Sequence, residues 1–248
     1  NREQSSDDIC IEGTLNAGIT IACNVNVVDG GTISKGTFTG RVWIGSGGTI
    51  SNGKFENTVI NYTGTITGGE FTGEVKSDQG KIDGGTFQGS VTSSGYNAII
   101  SDGNFHGTVT NSGYGAIISD GNFHESVTNS GYGATISGGT FDENVTNENQ
   151  AILNGGIFYG GVTNDDGTIE DGAYVTVTFN SDDGTPVEGA KVLRGQKVLE
   201  PAAPTKSGYT FTGWYLDDAL YDFDTPVTAL LTLTAKWEKV PSSGGYYY

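Results

Sequence analysis

The sequence predicts an all-β chain: a single-stranded parallel β-helix of 16–18 residues per coil over residues 1–173, then a small separate β module over 174–239. Three observations predict it. Phenylalanine recurs at positions 38, 55, 71, 87, 105, 123, 141 and 158, with gaps of 17, 16, 16, 18, 18, 18 and 17. Each Phe sits in one frame, with an aliphatic residue five before it, a Gly two before it and a Val four after it. All five prolines and only 7 of the 41 glycines lie after residue 173, a shift sharp enough to mark a domain boundary. A short fixed period, rich in Gly and β-forming residues, is what stacked coils leave in a sequence.

Each part of the frame has a physical task. A degenerate copy at Cys10, Gly13, Leu15 and Ile19 opens the series, and an altered ninth copy at Ile169, Gly172 and Tyr174 closes it. Between them, period-2 alternation turns Phe38, Val42 and Ile44 inward and Thr39 and Arg41 outward. The Gly two residues before each Phe supplies the positive φ that a corner needs, often next to Asp, Asn or a second Gly. Stacking puts each Phe about 4.8 Å above the last, and nine or ten coils at that rise reach roughly 45 Å. The phenylalanines are therefore core, not a cofactor box. Asn61, Asn111, Asn129, Asn147 and Asn164, with Ser77 and Ser93, fall two residues after the frame Val. They form either an inward ladder of side-chain amides or solvent-facing corners.

Cys10 and Cys23 lie 13 residues apart, with no CxxC or nearby His to suggest zinc. Alternation along Ile19, Ile21, Cys23, Val25 and Val27 places them inward, either as small buried apolar groups or as a disulfide stapling the first coil. Residues 1–173 carry 6 Lys+Arg and 20 Asp+Glu, a net of −14; residues 174–248 carry 6 and 9, a net of −3; together they give −17. Such a surface repels phosphate backbones and excludes nucleic acid as a partner. No membrane-spanning stretch, signal peptide or initiator Met is present, so the chain reads as an interior piece of a longer precursor with no membrane insertion of its own.

Several residues bear on chemistry. Glycoside hydrolysis needs two carboxylates across one sugar bond, and lyase chemistry needs a base with a metal or Arg. Residues 33–173 hold a single Arg, Arg41, and the acidic side chains repeat with the coils instead of forming one irregular spot. His106 and His124 both follow a ladder Phe, with Asp142 and Glu125 near. They suit either a divalent metal held with Asp142 or a plain duplication, since GYNAIISDGNFH recurs as GYGAIISDGNFH. Tyr96, Tyr114 and Tyr132 repeat at 18 residues in Ser-Gly-Tyr corners. They read either as an outward strip that binds sugar rings or a protein, or as rings folded back over the corner backbone.

The second module alternates at Val175-Val177-Phe179, breaks at Pro201 and Pro204, and resumes at Tyr209-Phe211-Gly213-Trp214 and Leu231-Leu233-Ala235-Trp237. Its GYTFTGWY at 208–215, Tyr221-Asp222-Phe223, Pro226-Val227-Thr228 and Ala235-Lys236-Trp237 closely resemble the Listeria–Bacteroides repeat, also called the internalin B-repeat, through nearly all of 175–238. Asp182-Asp183-Gly184 stands where that family often has a Gly-Gly turn. The resemblance implies a small β-grasp-like module in bacterial cell-surface proteins, serving as a spacer or adhesive unit and not as an enzyme. The solenoid resembles adhesin repeats more loosely. Pro241 to Gly245, followed by Tyr246–Tyr248, reads as the start of a flexible linker over 240–248.

These readings lead to an extracellular adhesin-like or structural protein, monomeric and without a cofactor, attached to the cell wall or surface through other regions. Its partner would be a glycan or a surface protein of a host or neighbouring cell. A polysaccharide lyase or hydrolase and a passive spacer are the two alternatives.

Overall fold

The computed structural model describes residues 8–241, so most of the expected linker, from residue 242 on, lies outside the described residues. The chain divides into two compact units between Ala173 and Tyr174.

The first unit is a parallel β-solenoid of about nine turns. One coil contributes three short segments, as in Thr49–Ile50, Lys54–Phe55 and Val59–Asn61. The Val segments stack into a ten-stranded parallel sheet that runs from Ile9–Ile11 to Val162–Asp165. The Ile and Phe segments build a second sheet of 15 strands, and in Thr32–Phe38, Lys81–Phe87 and Ile99–Phe105 one strand carries both. Like residues pair with like: Phe38 with Phe55, Phe55 with Phe71, and Phe105 with Phe123. A one-residue slip would turn every inward side chain to solvent, so the frame itself enforces this register.

The apolar core is built mainly from three columns of like side chains, one of Phe, one of Val and one of Ile that ends in Leu153. Phe38 to Phe158 are all essentially buried, with successive ring centroids 4.7–5.2 Å apart and rings within 13° of parallel. Burial of one such ring contributes about 1.5–3 kcal/mol. The frame glycines serve this column directly. Gly36, Gly53, Gly69, Gly85, Gly103, Gly121, Gly139 and Gly156 all have φ between +97° and +143°. A Cβ on any of them would sit 2.8–3.3 Å from a Phe ring carbon, so both backbone shape and ring packing require glycine.

Asn61, Asn111, Asn129 and Asn147 face inward and are fully buried, and the last three form a ladder that ends at the exposed Asn164. Asn111 Nδ2 donates to Asn129 Oδ1 at 2.9 Å, Asn129 to Asn147 at 2.9 Å, and Asn147 to Asn164 at 2.7 Å. Each amide also donates to a backbone carbonyl of its own coil: Ala116, Ala134, Ala151 and Gly167 respectively. Buried amides are tolerated here because each satisfies the next. The Ser coils interrupt the ladder. Ser93 Oγ and Asn111 Oδ1, facing each other in register, are buried without a partner.

The first coil departs from expectation. Leu15 takes the Ile position opposite Ile33, Ile21 takes the Phe position opposite Phe38, and Val25, not Ile19, takes the Val position opposite Val42, because register shifts after Leu15 and Asn16 lengthen the strand Thr14–Ile21. Ile19 is exposed as a result. Cys10 is exposed as well, since it pairs with the outward Asn26 while its neighbour Ile11 pairs with the inward Val27. Cys23 lies half-buried in the corner between Ile21 and Val25, where alternation lapses. Both side chains are thiols. Tyr174 is not a ninth ladder rung. It opens the first strand of the second unit.

That unit is a five-stranded mixed sheet in the order Ala190–Leu193, Tyr174–Asn180, Leu231–Lys239, Tyr209–Leu216, Ala219–Leu220. The central pair is parallel, with Val177 opposite Leu231, and the outer pairs are antiparallel. Residues 194–208, which carry Pro201 and Pro204, connect two of the strands without a helix. Trp214 is the centre of the core, edge-on to Phe179 at 4.9 Å and to Phe211 at 5.5 Å. Val175, Val177, Val198, Val227, Leu233 and Ala235 close around it.

Candidate functional site

The tyrosine corners are built from the inside out. Gly95, Gly113 and Gly131 are buried, and a Cβ on each would collide with the backbone carbonyl of the coil beneath. The chain therefore turns tightly there and throws the next residue outward. The position after each Tyr takes the left-handed conformation: Asn97 at φ 55°, Gly115 at 63° and Gly133 at 66°. Its N–H donates to the carbonyl of the next coil's corner, Asn97 to Tyr114 at 3.0 Å and Gly115 to Tyr132 at 3.1 Å. The corners are thus a hydrogen-bonded ladder in their own right.

Tyr96, Tyr114 and Tyr132 stand outward, each more than half exposed, and none folds back over the backbone. Their rings stack at 5.0 and 5.5 Å, within 14° of parallel. This geometry decides what they can touch. Inner ring faces are used up on one another, so the row offers a partner its edges and phenol hydroxyls. Only the end faces of Tyr96 and Tyr132 are available for flat stacking against a sugar.

Two further rows flank the tyrosines, and the sequence reading passed over both. On the Val face, Thr92, Thr110, Thr128, Thr146 and Thr163 pair in register and point outward. On the Ile face, Ile99, Ile117, Thr135 and Ile152 do the same. The signal was available, because the residue after each inward Val and before each inward Ile must face out.

His106 and His124 lie one above the other with ring centroids 4.6 Å apart. His124 Nδ1 meets Asp142 Oδ2 at 2.6 Å, and its Nε2 meets Asn104 Oδ1 at 2.7 Å. Both ring nitrogens of His124 lie within hydrogen-bond distance of side-chain oxygens of this chain. Among the described residues, no group of three or more His, Cys, Asp and Glu is close enough to hold one.

Perturbed acids lie elsewhere. Asp83 accepts from the Ser101 hydroxyl at 2.6 Å, and this bond, with Lys81 at 2.9 Å, holds its carboxyl below the usual carboxylate range. Lys197 does the same for Asp224 at 2.8 Å. Burial raises the Tyr221 phenol, with Asp222 adding to it. A hollow of about 600 Å³ in the second unit is lined by Val198, Leu199, Leu220, Tyr221 and Phe223, with Glu200, Asp222 and Asp224 around it. On the solenoid, a shallow hollow of about 280 Å³ lies over Gly36 and Gly53, with Lys35, Lys54 and one carboxylate, Glu70.

Comparison with known proteins places residues 176–236 in the Listeria-Bacteroides repeat domain. A stretch of 48 residues, 18% of this chain, is 46% identical to a protein of Evansella cellulosilytica provisionally named "Gly-rich membrane protein". The match spans 6% of that protein's length. No solved structure matches the chain. Among the described residues, no helix is long and apolar enough to cross a membrane.

Proposed function

We propose that this chain is a non-catalytic part of a bacterial cell-surface protein, whose solenoid engages a glycan or protein on a host or neighbouring cell. The carrying observation is the outward row of Tyr96, Tyr114 and Tyr132, fixed in register by a hydrogen-bonded corner ladder. Three amphipathic rings held at fixed spacing lose little freedom on contact, which favours binding over an equally exposed but mobile surface. The Listeria-Bacteroides repeat at 176–236 supports the surface location.

Catalysis is the weaker reading. The solenoid hollow offers one carboxylate, Glu70, beside Lys35 and Lys54, where glycoside hydrolysis needs a facing pair. A passive spacer would have no use for three aromatic rings on its exterior.

The test is adhesion of beads coated with the full chain to bacterial and epithelial cells. Replacing Tyr96, Tyr114 and Tyr132 together by Ala should abolish retention while leaving the circular dichroism spectrum intact. Unchanged retention would remove the tyrosine row from the function.

A further inference from the structure

Charge on the solenoid is segregated around the tyrosines. Residues 91–101, 109–119 and 127–137 contain no Asp, Glu, Lys, Arg or His, within a unit of net charge −14. The titratable side chains of those coils, tyrosines aside, lie at Asp102, His106, Asp120, His124, Glu125, Asp142 and Glu143, all on the Gly-turn and Phe side. The coils on either side are charged on the same face, with Lys76, Asp78 and Lys81 before it and Glu148 after it. The neutral surface therefore covers three coils and bends around the corner: threonines 92, 110 and 128, then the tyrosines, then Ile99, Ile117 and Thr135.

We infer that this face binds an extended, uncharged polysaccharide lying along the solenoid axis. The inference rests on the binding reading above and narrows its partner. Three properties of the face select the class. It has no charge to offer a polyelectrolyte, and the acidic surround repels polyanions. Phenol, threonine and serine hydroxyls alternate with methyl groups, which matches the alternating hydroxyls and C–H faces of a neutral sugar chain. The same contacts repeat at about 5 Å, given by Tyr centroids at 5.0 and 5.5 Å. An extended chain of β-1,4-linked hexoses advances by nearly that distance per sugar, so successive sugars, each flipped relative to the last, fall against equivalent sets of protein groups.

Area argues against a second copy as the occupant. Three coils at about 4.8 Å give a height of about 14 Å, and eight residues at about 3.3 Å give a path of about 26 Å. The product is on the order of 400 Å², against roughly 800 Å² per partner for a stable protein interface. Two chains of −17 would also repel across everything outside it.

The experiment measures retention of the full chain on particles of cellulose, β-1,3-glucan and β-mannan, with alginate as the charged comparison, across a salt series. Expected is retention on at least one uncharged polymer, insensitive to salt, and none on alginate. Ile117→Asp places a charge in the middle of the face without touching the core and should weaken retention about tenfold or more. Thr110→Val, which keeps shape and removes a hydroxyl, should weaken it less. The inference is overturned by any of three results: no retention on the three uncharged polymers, retention that salt abolishes, or full retention by a folded Ile117→Asp chain. A concentration-dependent dimer in sedimentation that Ile117→Asp dissolves would overturn it in favour of a second copy. Tyrosine-dependent adhesion to cells without retention on any neutral polymer would sink this partner class and leave the binding reading standing.

Discussion

Asn129 sits at the middle of the amide ladder, and removing it exposes how the interior is held. Its side chain is fully buried, accepts from Asn111 at 2.9 Å, and donates to Asn147 at 2.9 Å and to the carbonyls of Ala134 and Ile152 at 3.3 and 3.2 Å. Asn129→Ala takes away the acceptor that Asn111 uses and the donor that Asn147 uses, at a depth water does not reach. Each stranded group costs about 1–3 kcal/mol, so the expected loss is about 2–6 kcal/mol. For a unit of this size that lowers the melting midpoint by roughly 4–24 °C. Asn129→Ser, the residue two earlier coils carry at this place, should lose less. Asn129→Asp should lose most at neutral pH, because a carboxylate would face Asn147 Oδ1 and two carbonyls. Part of that loss should return on acidification, when the acid can donate. Ser93→Asn runs the other way: it brings a donor to the unpartnered Asn111 Oδ1 and should stabilise by about 1 kcal/mol. Thermal and urea unfolding followed by far-ultraviolet circular dichroism reads all four. Stability of Asn129→Ala within about 0.5 kcal/mol of the parent would refute the idea that these amides support one another.

Phe105→Ala opens a cavity in a column stacked at 4.8 and 4.7 Å on either side and should cost about 3–5 kcal/mol in the same assay, more than any outward Thr→Ala change. Acidification should weaken the Lys81–Asp83–Ser101 contact. Asp83 titrates lower in the folded chain than in the unfolded one, so its contribution is present above the unfolded value of about 3.9 and fades as pH falls through the folded value. Ser101→Ala removes the larger cause and should move the Asp83 carboxyl resonance to titrate at higher pH by nuclear magnetic resonance. A titration unchanged by Ser101→Ala would show that the hydroxyl is not what holds the carboxylate.

The frame of Ile, Gly, Phe and Val was legible because its residues are alike in every coil and each has one physical role. The asparagines were ambiguous for a reason. Alternation sends Asn111 inward, but an amide is costly there unless its neighbours accept it, and only the pairing of Asn111 with Asn129 and Asn147 removes that cost. Cys23 misled because alternation carried back from Val25 does not survive the corner at 22–24, and Cys10 because its strand stacks it on the outward Asn26. The tyrosine row was visible as a period of 18, but spacing does not say which way a ring turns. That the rings cover one another's faces follows from the 5.0 and 5.5 Å stacking and changes which contacts they can make. The Thr92-to-Thr163 row went unread because threonine outward on a strand is the commonest of surfaces, and only its unbroken register makes it part of a face.

All of this depends on register turning a repeat in sequence into rows in space, and a distance measurement addresses that directly. Spin labels at Thr92→Cys and Thr163→Cys, in a chain also carrying Cys10→Ser and Cys23→Ser, lie on one row four coil steps apart. At about 4.8 Å per step, double electron–electron resonance should return a narrow distribution centred near about 19 Å, widened only by the label arms. A broad distribution, or one centred beyond about 30 Å, would contradict the in-register stack and with it the rows on which the proposed surface is built.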